Sequence, residues 1–232
     1  MSKFTRILQQ LRKHHGEPGN PEPAGPWEWV LWENACYLLP DERRLEVFRA
    51  LRDQIGLNPS AIEAAPDSVL LPIAIRGGMR PGNRVFRWKE IAHIALIRYG
   101  GNLNAILSLP YGEAKEALKQ FPAIGEPGAE KILLFCGRAS GLPLESNGLR
   151  VLSRIGWGSA QKNYAATYRS VQAALKPELP SHVERLREAH LLLRIHGKKL
   201  CKDHVPLCHQ CPVFSECAFT QSKLASLGRP GT

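Results

Sequence analysis

The sequence predicts an all-α protein, as one large domain or two small interlocked ones, on three observations. Apolar residues recur at helical spacing almost throughout from Trp27 onward, and alternating runs long enough for strands are scarce. No period of 20 to 50 residues repeats, which disfavours a solenoid. The length of 232 residues is roughly one and a half typical domains, so one large domain or two small interlocked ones fit. Hydrophobic residues make up 44% and charged residues 22%, which argues against intrinsic disorder, collagen or a coiled coil as the main architecture.

In chain order, Met1 to His15 reads as a short basic helix, and Gly16 to Pro26 is too rich in proline and glycine to be anything but a linker. Leu45, Phe48, Leu51 and Ile55 mark a helix face, and Trp27, Trp29 and Trp32 sit at helical spacings suited to a core. A further helix is expected from about Val85, and another from Gly112 to Gln120. After a turn the apolar run Ile132 to Cys136 follows, and then a helix marked by Leu149, Leu152 and Ile155. Val183 to His196 is a long amphipathic helix with Gly197 placed as its C-terminal stop.

Charge narrows the class of partner. Lys and Arg number 31 against 21 Asp and Glu, a net charge of +10, which favours a polyanion. The longest clearly apolar stretch, Val69 to Ile75, contains a proline and falls short of the ~18 residues that span a membrane. The basic N-terminus lacks an apolar region with a small-residue cleavage site. A cytoplasmic protein is the expectation.

Six cysteines are unevenly placed. Cys36 and Cys136 stand among apolar neighbours and read as inert buried thiols. Cys201, Cys208, Cys211 and Cys217 form C-x6-C-x2-C-x5-C within seventeen residues, which in a reducing compartment reads as a metal site. Zinc more usually takes two close pairs, so the wider outer spacings favour a [4Fe-4S] cluster, with zinc as the alternative. Lys198, Lys199, Lys202, His204 and His209 make the segment cationic, suited to phosphates or to plain solvation.

Two other segments suit nucleic acid. Residues 121 to 132, Phe-Pro-Ala-Ile-Gly-Glu-Pro-Gly-Ala-Glu-Lys-Ile, read as a tight turn between two helices. Main-chain N–H groups at Ala123, Ile124, Gly125 and Gly128, with the positive end of the second helix, are the expected phosphate contacts; an ordinary αα-hairpin is the alternative. Ile75 to Lys89 packs Arg76, Arg80, Arg84, Arg87 and Lys89 around two glycine-containing turns. Arg76, Arg80 and Arg84 are candidate phosphate contacts, with a merely solvated basic turn as the alternative.

The cysteine spacing and its lead-in, Leu191-Leu-Leu-Arg-Ile-His-Gly-Lys-Lys-Leu-Cys201, resemble the iron-sulfur loop of the endonuclease III and MutY group of DNA glycosylases. The turn resembles the family pattern L-P-G-h-G-x-K-T-A-x-x-h, but Pro127 stands where bifunctional members carry the lysine that attacks the sugar. Without an amine there, Schiff-base lyase chemistry is not expected; Lys131 lies one turn further along the same face. Pro143 to Val151 resembles h-D-x-H/N-h-x-R-V, with Glu145 in place of the catalytic aspartate and Asn147, Arg150 and Val151 matching. An ionised carboxylate there would stabilise an oxocarbenium-like state and orient water. A helix-capping carboxylate is the alternative. Glu33 is a looser match to a polar position facing the extruded base or the DNA gap, which an amphipathic helix face explains as well, and the resemblance makes Met79 the candidate wedge for the gap that such a base leaves.

The resemblance implies a six-helix barrel with the hairpin over residues 33–138 and an iron-sulfur domain from 1–32 and 139–232, with a DNA-binding cleft between them. It also implies a monomeric, monofunctional glycosylase acting on duplex DNA that carries a damaged or mismatched base. A catalytically silent DNA-structure binder of the same family is the other reading.

Overall fold

The computed structural model describes residues 1–36 and 39–227, with the side chains of 223–227 left aside. Every regular element among the described residues is helical. In order these are α1 (Lys3–His15), α2 (Gly25–Ala35), α3 (Asp41–Gln54), α4 (Pro59–Ala64), α5 (Asp67–Arg76), α6 (Pro81–Tyr99), α7 (Tyr111–Lys119), α8 (Glu126–Phe135), α9 (Ser146–Ile155), α10 (Tyr164–Leu175), α11 (Val183–Lys199) and α12 (Ala218–Leu227). Short 3₁₀ turns at Leu103–Ser108, Lys176–Glu178, Cys208–Gln210 and Phe214–Glu216 complete the set. None of the described helices is long and apolar enough to cross a membrane.

Local chemistry explains the ends. Ser2, Asn58 and Asn163 each accept a backbone N–H at the start of α1, α4 and α10, the usual work of an N-cap. α6 stops at Gly100, whose φ of 58° suits a residue without a side chain. Its start is earlier than the sequence pattern places it, because Pro81 takes the first helical position, where its missing N–H has no partner to lose.

The chain forms two compact units, residues 1–20 with 139–232, and residues 21–138. The second unit takes in the segment 21–32 because α2 packs into its core through Trp29, Val30 and Leu31. Trp29 stacks on Phe135 at 4.6 Å, Trp32 meets Phe48 edge-on at 5.4 Å, and Trp88 is fully buried with its Nε1 donating to the Asn34 carbonyl at 3.0 Å. The tryptophans of this unit therefore build core. Cys36 is buried there, and burial pushes its thiol pKa up.

In the first unit α9 lies along α11, and α1 covers α11 with Phe4, Ile7 and Leu11 fully buried. Phe4 meets Trp157 edge-on at 5.8 Å. Gly197 does not stop α11, which runs on to Lys199. A Cβ at this position would come within 2.6 Å of the Asn147 Cβ. The glycine lets two helices approach closely at the residue that matters most for the site below.

Candidate active site and cysteine loop

Glu145 is the N-cap of α9, with φ −79° and ψ 172°. Its Oε1 accepts the Gly148 backbone N–H at 2.9 Å, and its Oε2 accepts the Asn147 Nδ2 donor at 2.8 Å. Both oxygens therefore have defined directions, and the half-buried carboxylate is fixed at the positive end of a helix. Asn147 and Gly148 follow within the same helical turn, which is why a motif of five residues can write this arrangement into sequence.

The carboxylate connects to the cysteine loop through side chains. Arg150 Nη2 donates to Asn147 Oδ1 at 2.8 Å and to the Gly197 carbonyl at 3.0 Å, while its Nε donates to the Cys201 carbonyl at 2.9 Å. One turn on, Arg154 donates to the carbonyls of Lys202 and Asp203 at 2.6 and 2.7 Å, and lies 3.5 Å from Cys201 Sγ. Arg154 also stacks over the Phe219 ring at 4.9 Å. Two arginines of α9 thus thread the loop through its backbone oxygens.

Cys201, Cys208 and Cys211 are half-buried and Cys217 is buried. Burial pushes Cys211 up to about 11, helped by the other three thiols, whose charge opposes ionisation. Burial also raises Cys201, against the pull of Arg154 and Arg150. Cys217 Sγ lies 3.3 Å from the Arg154 carbonyl and Cys211 Sγ 3.5 Å from His196 Nε2. His196 shares a 3.1 Å hydrogen bond with His15, and burial holds both rings down to about 4. Among the described residues no three His, Cys, Asp or Glu side chains converge tightly enough for a single metal ion. Lys198 and Lys199 are exposed at the end of α11.

In the second unit α7 and α8 pair as a hairpin. Ala123 turns the chain at φ 62°, a left-handed conformation that a side chain resists. Ile124 is a correction to the expected donors, because its N–H already serves the turn, donating to the Phe121 carbonyl at 3.1 Å, and its side chain is buried. Gly125 is the N-cap of α8, and Gly128 occupies the third helical position, where an N–H has no intrahelical acceptor. Asn34 holds the turn from α2, with Nδ2 donating to the Pro122 carbonyl at 3.1 Å. Lys131 Nζ lies 2.7 Å from Glu33 Oε1, which also meets Arg44 at 3.5 Å. Lys115 pairs with Glu126 at 2.7 Å.

The basic turn divides sharply. Met79 is 75% exposed, and Arg76 and Arg80 are exposed, with Arg80 at φ 56° capping α6. Arg84 is only 5% exposed and donates to the carbonyls of Ala74, Gly78 and Met79 at 2.7, 3.2 and 3.1 Å. It is therefore a clamp for the turn and not a phosphate contact. Lys89 is paired with Asp67 at 2.7 Å.

Three residues without a local signal in the sequence, Tyr164, Gln172 and His190, bond the carbonyls of the loop before Glu145 from α10 and α11. Their separations of 20, 30 and 47 residues leave no local spacing to find them by. Asn147 and Arg150, three apart on one helix face, did carry such a signal.

No family model matches the chain. It is 27% identical to an endonuclease III of Sulfolobus acidocaldarius over 182 residues, covering 77% of this chain and 75% of the relative. It is 26% identical to a thymine-DNA glycosylase of Aeropyrum pernix over 225 residues, covering 93% of each. Its fold is similar to that of an endonuclease III in a non-covalent complex with DNA, with a TM-score of 0.75 at 17% identity, over 97% of this chain and 100% of that one. Likeness in sequence to named DNA glycosylases and in fold to an endonuclease III thus joins the helix-hairpin-helix already described, and the chain is similar to the endonuclease III-like superfamily of helix-hairpin-helix DNA glycosylases.

Proposed function

We propose that this protein is a monofunctional DNA glycosylase that hydrolyses the N-glycosidic bond of a mismatched or damaged base extruded from duplex DNA. The observation that carries the reading is Glu145, a carboxylate at a helix N-terminus with each oxygen held by a fixed donor. In the proposed reaction the C1′–N bond breaks, positive charge develops on the sugar, and the ionised Glu145 stabilises it. A water oxygen adds to C1′ and its proton passes to Glu145; the departing base takes a proton from solvent, and Glu145 returns its proton to solvent, so that one water is consumed and the neutral base is released. Pro127 offers no amine, so no covalent sugar adduct forms at that position. The name of the thymine-DNA glycosylase relative makes mispaired thymine the first base to try.

The DNA contacts we assign are the main-chain donors of Ala123, Gly125 and Gly128, the side chains of Arg76 and Arg80, the lysines Lys198 and Lys199, and Met79 as the wedge. The assignment is supported by their exposure or, for Gly128, by its place in the first helical turn. Cys201, Cys208, Cys211 and Cys217 would hold a [4Fe-4S] cluster. The donor set supports it with four thiols near enough to oppose one another's ionisation and with Arg150 and Arg154 beside Cys201 to offset thiolate charge. When bound, the cluster would supply a rigid, redox-capable anchor for the loop between α11 and α12. The protein's absorbance near 400 nm tests this assignment.

One observation favours the silent binder instead, since a carboxylate with both oxygens satisfied by its own helix is also what a purely structural cap needs. Incubation with duplexes that each carry one altered or mispaired base, followed by alkali, separates the two. Base release by the wild type, lost in Glu145→Gln with DNA affinity kept, is the expected result. Tight binding without release from any duplex would establish the silent binder.

A further inference from the structure

Three consecutive carbonyls precede Glu145, and each is claimed by a side chain from another helix. Gln172 Nε2 donates to the Leu142 carbonyl at 3.0 Å, His190 Nδ1 to the Pro143 carbonyl at 2.9 Å, and the Tyr164 hydroxyl to the Leu144 carbonyl at 2.9 Å. Leu142 and Leu144 are buried, so these oxygens are shielded from much of the solvent and need protein donors. Tyr164 takes the last position, nearest the carboxylate.

We propose that Tyr164 is a positioning residue for Glu145, its hydroxyl fixing the backbone from which the carboxylate projects. This rests on the reading of Glu145 as the carboxylate of base release. The Leu144 carbonyl and the Glu145 N–H belong to one rigid peptide plane. Holding the oxygen orients that plane, and with it the rotation about N–Cα that aims the Glu145 side chain. The far end of the side chain is held by Gly148 and Asn147. The near end depends on Tyr164. A glutamate has one more rotatable bond than the aspartate of the family pattern, so holding both ends matters more here.

The phenol is suited to the task. Although the residue is 45% exposed, partial burial of its phenol and the charge of Glu145 push its pKa up to about 12, so it remains a donor through the neutral range. Its ring stacks on Tyr168 with centroids 6.1 Å apart and planes at 27°, a contact that does not use the hydroxyl. Tyr164→Phe therefore removes the donor and keeps the ring.

Three readings on Tyr164→Phe test the proposal: hydrogen exchange at the Gly148 amide, the single-turnover rate of base release, and DNA affinity at fixed salt. The Gly148 N–H bonds Glu145 Oε1, so its protection reports the carboxylate's placement without any turnover. The expected result is exchange at Gly148 faster by about tenfold or more, base release slower by roughly ten- to hundredfold, and unchanged affinity. Unchanged Gly148 exchange overturns the proposal whatever the rate does. Faster exchange with an unchanged rate also overturns it, as does a loss confined to affinity, which would make Tyr164 a DNA contact. If the wild type releases no base while Gly148 exchange responds, the glycosylase reading falls and the positioning of Glu145 by Tyr164 stands. Should Tyr164→Phe fail to fold, Gln172→Met probes the same loop from the next donor on α10 and is read in the same way.

Discussion

The hairpin of the second unit and the carboxylate loop of the first are built on opposite principles. The hairpin turn is ordered mainly by main-chain bonds, Ile124 N–H to Phe121 and Ala129 N–H to Gly125, with Asn34 as its side-chain tie. The loop before α9 is ordered by side chains that arrive from α10 and α11, and Glu145 is held by the Gly148 N–H and by Asn147, which Arg150 bonds and Gly197 approaches closely in turn. A structure written in main-chain bonds tolerates changes of side chain, which is how Ala123 and Pro127 can stand in the turn. One written in side chains has little such slack.

The contrast can be pressed experimentally. The basic turn at 77–80 sits with the side-chain-built class, so Arg84→Ala, which strips donors from three carbonyls and empties a buried site, is expected to cost about 3–5 kcal/mol in denaturant unfolding. A cost below 1 kcal/mol would show that the turn holds itself. Gly197→Ala should cost about 1–3 kcal/mol through overpacking against Asn147, and should slow base release more than it weakens DNA binding. An unaltered rate would break the link drawn from Gly197 to the carboxylate.

Smaller effects sharpen the other side. Arg76→Ala and Arg80→Ala should leave stability within about 0.5 kcal/mol. Each should lower the dependence of log affinity on log salt by roughly 0.9, the signature of one lost phosphate contact; an unchanged slope would remove that arginine from the interface. Smallest is Ala123→Gly, which relieves the left-handed strain at φ 62° while loosening the unfolded chain, for a net gain of about 0.5 kcal/mol in thermal or denaturant unfolding. A loss there would mean that the Ala123 methyl packs favourably enough to outweigh the strain.

The fold was legible because helical periodicity survives in single residues such as Phe48, Leu51, Leu152 and Ile155, all of which are buried where the pattern puts them. The Glu145, Asn147 and Arg150 contacts were legible for a related reason, since they lie within two turns of one helix. Arg84 was misjudged because an arginine that clamps carbonyls and one that faces solvent look alike in a basic segment, and only burial tells them apart. Gly197 was read as a helix stop because glycine serves both chain reversal and close approach, and its neighbour Asn147 is fifty residues away. Tyr164 belongs to the same class of hidden partner.

The first unit is discontinuous, and this bears on how the chain reaches its native state. Residues 21–138 form one uninterrupted stretch, whereas the first unit joins residues 1–20 to 139–232. Arg6 and Gln10 meet Glu216 across more than two hundred residues, Arg6 Nη2 at 2.6 Å from its carboxylate. Closing so long a loop carries an entropic cost that only late contacts repay. During synthesis the second unit can therefore fold while α1 waits for α9, α11 and the cysteine loop, which emerge last. Helix α1 is made before the elements it packs on, so its apolar face, Phe4, Ile7 and Leu11, is the surface that a nascent chain must keep from aggregating until α9 and α11 have emerged.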